Sequence, residues 1–274
     1  MVRVSFDGQG SFSVSKKLVS QVAIVTGSAR GLGVALVERF ASDGASLLLA
    51  DVNGDGLPQV AARAREAGAP DVAWIGQDLS QEEGAAATVK TALDRWGRID
   101  VLVNNAGGGL IRPFLEHTAE TLRETINRNL WTTIWCTRAV LPHMIERKYG
   151  RIVNISADSV HTGLYSHAGY NAAKGGVNGL TTGLAFEFAK YNITVNCVSP
   201  GGIMTPEIQQ MFDPNSDVYK KHRIVDVRTV LAQIPIGRLV EMNEVAALAA
   251  FLTYEESRSI TGQIYSVNGG QWMM

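Results

Sequence analysis

A doubly wound α/β domain on a parallel sheet is the fold this sequence predicts, and three observations predict it. Short β-rich apolar runs alternate with helix-length segments along most of the 274 residues. The first run, VAIVT at 22–26, opens into a glycine-rich turn, Gly27-Ser-Ala-Arg-Gly-Leu-Gly33, and then a helical pattern. The second, SLLLA at 46–50, ends at an acidic residue, Asp51. Strand–helix alternation at this spacing suits right-handed βαβ crossovers, which cover both faces of a parallel sheet.

The elements follow in order. After the strand at 22–26, residues 34–42 carry a helical pattern, and the strand at 46–50 leads to an Ala-rich helix over 57–67. DVAWI at 71–75 is the third strand, 81–95 the next helix, and IDVLV at 99–103 the fourth strand, stopped by Asn104-Asn105-Ala106-Gly107. Residues 119–147 favour helix with a bend near Pro142, because proline lacks the N–H a helix interior needs. RIVNI at 151–155, a helix over 169–190 and ITVNCV at 193–198 come next, with Pro200-Gly201-Gly202 ending the strand. A helix over 243–252 and the strand QIYSV at 263–267 close a mostly seven-stranded sheet. Residues 1–17 read as an extension and 18–274 as one Rossmann-type domain. The segment 204–236, with Pro206, Pro214 and Pro235, reads as a lid over the substrate.

Composition excludes several classes. Hydrophobic residues at 46% and charged residues at 19% exclude a disordered chain. With 25 Lys and Arg against 26 Asp and Glu, no overall field draws in nucleic acid or an anionic membrane. Cys136 and Cys197 are too few for a disulfide framework and read as reduced residues of a cytoplasmic protein. No signal-peptide pattern or membrane-length apolar run is present, and His117, His143, His161, His167 and His222 are too scattered to suggest a metal site.

Glycines between a strand and a helix let the backbone approach a pyrophosphate while helix N-terminal amides face its charge. Gly27, Gly31 and Gly33 provide such a turn, spaced G-x-x-x-G-x-G. Asp51, 18 residues beyond Gly33, is placed to accept the hydroxyls of an adenosine ribose. A 2′-phosphate there would meet like charge, so Asp51 argues for NAD over NADP, whereas Arg30 argues mildly the other way. Asp78 is placed for an adenine amine or for capping the helix that starts near Gln81. Asn105 and Gly107 suit the cofactor floor.

Tyr170 and Lys174 stand one helical turn apart on one face. An ammonium beside a phenol favours phenolate, which makes Tyr170 an acid/base for interconverting C–OH and C=O as a hydride moves to or from a nicotinamide.

Over roughly residues 18–270 the chain resembles the short-chain dehydrogenase/reductase family. The resemblance rests on Thr26-Gly-Ser-Ala-Arg-Gly-Leu-Gly33, Asp78-Leu79, Asn104-Asn-Ala-Gly107, Asn129-Leu130, Tyr170-Asn-Ala-Ala-Lys174, Pro200-Gly-Gly-Ile-Met-Thr205 and Thr261-Gly-Gln-Ile-Tyr-Ser-Val-Asn-Gly-Gly270. Within the family, the runs 131–144 and 170–178 look nearest to dehydrogenases of cyclic alcohols and dihydrodiols. The resemblance implies that Tyr170 is the acid/base, that Lys174 lowers its pKa and binds the nicotinamide ribose, and that Asn129 holds a water in a proton relay. It implies cofactor contacts from Gly27, Arg30, Gly31, Leu32 and Gly33, from Asp51, Asp78 and Leu79, from Asn105, Ala106 and Gly107, and from Tyr170 and Lys174. Pro200, Gly201, Ile203 and Thr205 complete that set around the carboxamide or phosphates. A homotetramer acting on a small-molecule alcohol or ketone is also implied.

One position departs from the pattern. The family places a serine 13 residues before the tyrosine, where this chain has Ala157. Ser156 and Ser159 flank it, and Ser159 shares a face with position 157 if 157–159 is extended, which makes it the preferred replacement. His161 offers another donor. Arg112 or the Lys220-Lys221-His222-Arg223 cluster suits a carboxylate, phosphate or acyl-carrier group, or is simply solvated, and Trp131 and Trp135 read as a packing stripe. The function this predicts is NAD-dependent interconversion of a secondary alcohol, whether cyclic, aromatic or a dihydrodiol, and its ketone. The competing readings are a hydroxyacyl-thioester dehydrogenase, a weakened NAD-binding partner subunit, and a transcriptional regulator, the last disfavoured by the balanced charge.

Overall fold

The computed structural model describes residues 16–205, 208–210, 213, 215–216 and 231–273. Its strands are β1 (Val22–Thr26), β2 (Ser46–Asp51), β3 (Val72–Gly76), β4 (Val101–Asn104), β5 (Gly150–Ile155), β6 (Ile193–Pro200) and β7 (Ile264–Val267). They form one parallel sheet in the order β3-β2-β1-β4-β5-β6-β7. Each strand falls within two residues of its sequence expectation.

Alternate side chains along each strand face opposite sides, so each β-rich run feeds two cores. Ala23, Val25, Leu47 and Leu49 face α1 (Leu32–Ser42), α2 (Leu57–Ala67) and α8 (Met242–Phe251), meeting Leu36, Phe40, Val60 and Val245. Ile24, Leu48, Leu102 and Ile152 face the other way, toward Val89 of α3 (Glu82–Trp96), Val140 and Met144 of α5 (Thr132–Arg147) and Ala185 of α7 (Ala168–Phe188). Among the described residues no helix is long and apolar enough to cross a membrane.

The helix expected over 119–147 breaks, but not at Pro142. It is α4 (Ala119–Ile126), a π turn over Asn127–Trp131, and then α5, in which Pro142 is an interior residue. The break falls where the Asn129 amide donates to the Thr125 carbonyl at 2.9 Å and the Thr132 hydroxyl to that of Arg128 at 3.0 Å. Pro142 is tolerated because the carbonyl one turn before it belongs to Arg138, an exposed residue open to water. The expected extension up to residue 15, the Lys220–Arg223 cluster and most of the expected lid lie outside the described residues. Where the lid begins, Ile203 pairs in parallel with Val240.

Candidate active site

The winding of the sheet reverses at β1, which has β2 on one side and β4 on the other. In open α/β sheets a ligand crevice forms at such a point, beyond the carboxyl ends of the strands. A hydrogen-bonded brace holds it here. The Thr26 hydroxyl donates to the Val103 carbonyl (3.2 Å) and accepts from the amides of Asn105 (2.9 Å) and Ala106 (3.0 Å). The Asn105 side chain returns two bonds, to the carbonyls of Thr26 (3.0 Å) and Gly27 (2.9 Å).

The turn after β1 must be glycine-rich to close on this brace. Gly27 has φ +63°, and a Cβ there would lie 2.7 Å from Ala106 Cα. One on Gly33 would lie 2.0 Å from the Gly27 carbonyl oxygen. Gly31 differs: φ is +56°, yet a Cβ there would meet nothing within 4 Å, so its outer side is open. No side chain caps α1 at Gly31 and its first turn has no acid; the Gly33 and Val34 amides donate to the carbonyls of Arg30 and Gly31, both at 3.1 Å, which leaves the Leu32 amide for a ligand. Asp51 accepts from the amides of Ala29 and Asn53, both at 2.9 Å, and each carboxylate oxygen keeps a second acceptor site. Arg30 is exposed beside the turn. An open cradle, the unbonded Leu32 amide and an acidic strand end together fit a dinucleotide.

Other expected contacts are more mixed. Asp78 does not cap α3; its carboxylate accepts from the Ser80 amide at 2.9 Å, and Gln81 stands at the cap with no side-chain bond to the helix amides. The Leu79 side chain is buried in the second core, so only its backbone can meet a ligand. Pro200 ends β6, and the Gly201 amide donates to the Val267 carbonyl at 2.9 Å. The Thr205 hydroxyl accepts from the Ile208 amide at 3.2 Å.

On α7, Tyr170 and Lys174 share a face, with the ammonium 5.9 Å from the phenol ring centre. Lys174 is buried and donates to the Ile155 carbonyl at 2.8 Å. Burial pulls its pKa down to about 8, and the nearby Cys197 thiol opposes that weakly. Burial also pushes the Tyr170 phenol up to about 12. Burial thus works against the lowered tyrosine expected from its neighbour. The Tyr170 hydroxyl bonds to none of the described residues.

Asn129 faces this pair from the π turn, a device common at functional sites. Its amide donates to the Gly108 carbonyl and its oxygen accepts from the Gly108 amide, both at 3.0 Å. Between them lies Gly107, where a Cβ would sit 2.6 Å from the Asn129 oxygen and 3.4 Å from Lys174 Nζ. Gly107, Asn129, Tyr170 and Lys174, distant in sequence, thus converge.

The serine expectation needs correction in its geometry. Residues 157–159 are not extended: Asp158 is helical (φ −68°, ψ −19°) and Ser159 begins the short helix α6 (Ser159–Thr162). The Ser159 hydroxyl donates to Asn171 Oδ1 and the Asn171 amide to the Ser159 carbonyl, both at 2.7 Å. The Ser156 hydroxyl is spent on the Lys174 carbonyl at 3.2 Å. His161 buries Nε2 without a partner. Sequence reasoning missed Asp158, a buried carboxylate bonded by Ser266 (2.6 Å) and Asn268 (2.7 Å), which ties the loop after β5 to the end of β7. Only the meeting of two distant strand ends reveals that role. Trp131 and Trp135 stack at 5.1 Å, and Trp135 packs against the second core.

Comparisons with known proteins place the chain in a family. A family model described as enoyl-(acyl carrier protein) reductase matches residues 27–271. The chain is 48% identical over 257 residues to 2,3-dihydroxy-2,3-dihydro-p-cumate dehydrogenase of Pseudomonas putida, covering 94% of this chain and 96% of that one. It is 37% identical over 261 residues to 1,6-dihydroxycyclohexa-2,4-diene-1-carboxylate dehydrogenase of Acinetobacter baylyi, covering 93% and 98%. It is 38% identical over 257 residues to a (2S)-[(R)-hydroxy(phenyl)methyl]succinyl-CoA dehydrogenase subunit of Thauera aromatica, covering 92% and 96%. With its glycine cradle, its Tyr170–Lys174 pair and relatives of this kind along nearly its whole length, the chain belongs to the short-chain dehydrogenase/reductase family.

Proposed function

We propose that the protein is an NAD-preferring dehydrogenase that interconverts a secondary alcohol on a small ring, first of all a dihydrodiol, with its ketone. The convergence of Tyr170, Lys174 and Asn129 around Gly107, beside the glycine cradle, carries this reading. Two relatives named for dihydroxy ring substrates support the substrate class. Asp51 at the ribose end supports NAD. A homotetramer working in the cytoplasm is the assembly we infer, with light scattering as its check.

When bound, the nicotinamide supplies the hydride acceptor. The chain's own residues handle the proton. Tyr170 takes it from the substrate hydroxyl, and the ammonium of Lys174 stabilises the phenolate that burial disfavours. Gly107 lets Asn129 and Lys174 come close, which suits a proton relay past the amide. Ser159 is our candidate for the hydroxyl missing at Ala157. In the free protein its proton goes to Asn171, and it would hold the reacting oxygen as a donor by turning that O–H from Asn171 to the substrate.

Ala157 and the bonded Ser159 favour one other reading, a weakened partner subunit that still binds dinucleotide. Purified protein with a panel of cyclic alcohols and dihydrodiols, followed by NADH absorbance, separates the two. Turnover with NAD exceeding that with NADP is the expected result. Tight NADH binding with no turnover of any member would favour the partner subunit.

A further inference from the structure

We propose that Arg112 anchors a carboxylate subsite at the mouth of this site, so that the ring substrate bears an acid group; the inference rests on the dihydrodiol reading and deepens it. Two segments frame the mouth, 107–118 after β4 and 159–167 after β5. They are joined where the Arg112 amide donates to the Ser166 carbonyl at 3.2 Å, with Ser166 held at φ +64°. Between them lies a cavity of about 500 Å³, walled by Pro113, Phe114, Leu164, Tyr165, Ala168 and Asn171 among others. Its volume suits a ring-sized ligand. Among the described residues no charged side chain lines it, and Arg112 immediately precedes the lining residue Pro113 in the chain.

The Arg112 guanidinium is unpaired. Arg39, Arg63, Arg95, Arg98 and Arg238 all meet carboxylates. Among the described arginines, Arg112 and the exposed Arg30 have no ion pair, side-chain hydrogen bond or ring contact. Arg112 nevertheless buries its Nε, and Glu116, the acid nearest in sequence, is exposed and pairs with nothing. A buried donor without an acceptor is unfavourable unless a ligand completes it, and a guanidinium fork matches a carboxylate.

His117, in the same segment after β4, is a second unpartnered group. Its Nδ1 lies 3.1 Å from the Thr121 hydroxyl, and its buried Nε2, near Gly169, has no partner among the described residues. A guanidinium and an imidazole nitrogen able to bond a hydroxyl, five residues apart in one segment, complement a hydroxy acid. The carboxylate printed in the name of the Acinetobacter relative's substrate is consistent with this.

The test uses the full chain with NAD and the variants Arg112→Gln and Arg112→Lys. Benzoate and benzamide binding are measured by calorimetry, and kcat/KM is measured for the cis-dihydrodiols of benzoate and of toluene. We expect benzoate and its diol to be preferred by about 10–100-fold, as for a charge-assisted hydrogen bond. Arg112→Gln should erase that preference while holding kcat/KM for the toluene diol within about twofold, and Arg112→Lys should restore part of it. Equal binding of benzoate and benzamide by the wild type, or a parallel loss on both diols in Arg112→Gln, overturns the subsite and leaves the dehydrogenase standing. Turnover of neither diol, with the benzoate preference present and erased by Arg112→Gln, overturns the diol reading and keeps the subsite. A preference for a coenzyme A thioester that only Arg112→Gln abolishes assigns the arginine to phosphate and overturns the carboxylate.

Discussion

Lys174 is buried with one backbone partner, and its burial has a measurable consequence for the free protein. A lysine that titrates at 10.5 when unfolded and at about 8 when folded disfavours its charged form in the native state by about 3 kcal/mol. The sign follows from proton counting. Between about pH 8 and 10.5 the unfolded chain holds a proton that the native protein has released, so native stability rises with pH across that window. Below about pH 8 both states are protonated and the burial penalty is complete. Lys174→Met removes the titration but also orphans the Ile155 carbonyl, an offset that does not depend on pH. Urea unfolding of both proteins at stepped pH therefore isolates the lysine. The wild type should gain about 3 kcal/mol on the variant from about pH 7 to about pH 10.5. A flat difference would mean that Lys174 titrates normally and is not desolvated, and the account of the Tyr170–Lys174 pair would fail with it.

Three further outcomes follow from named contacts. Gly107→Ala forces a Cβ against the Asn129 oxygen and should lower stability by about 1–3 kcal/mol and turnover with it; urea midpoints and initial rates unchanged from wild type would contradict the convergence. Ser159→Ala should reduce turnover by about 10²-fold with NAD affinity unaltered, and normal turnover rejects Ser159 as the substrate's hydroxyl partner. The Ile99 amide donates to His143 Nε2 at 3.2 Å, and burial, helped by Arg147, lowers the His143 pKa. The unfolded histidine binds its proton first as pH falls below 6.5, so melting temperature should drop there, and less in His143→Gln.

The strands and the cofactor end were readable because their signals are local. A β-rich run such as VAIVT, a glycine-rich turn and an acid at the next strand end each state a backbone requirement within a few residues. Tyr170 and Lys174 were readable for the same reason, being one turn apart on a single helix. The break in the helix over 119–147 was misplaced because Pro142 is a conspicuous local signal. The π turn instead depends on Asn129 meeting Gly108, 21 residues earlier in the chain.

The alternation of apolar runs and the spacing of glycines were enough, alone, to determine the doubly wound sheet and the glycine-rich turn at the carboxyl end of its first strand. Tertiary structure decided the burial of Tyr170 and Lys174, and with it the desolvation of their charged forms. It also turned Ser159 toward Asn171, placed Asp158 against β7 and left Arg112 without a counter-ion. Desolvation and hydrogen-bond partnership depend on which distant segments surround a group, and periodicity along a chain carries no record of those neighbours.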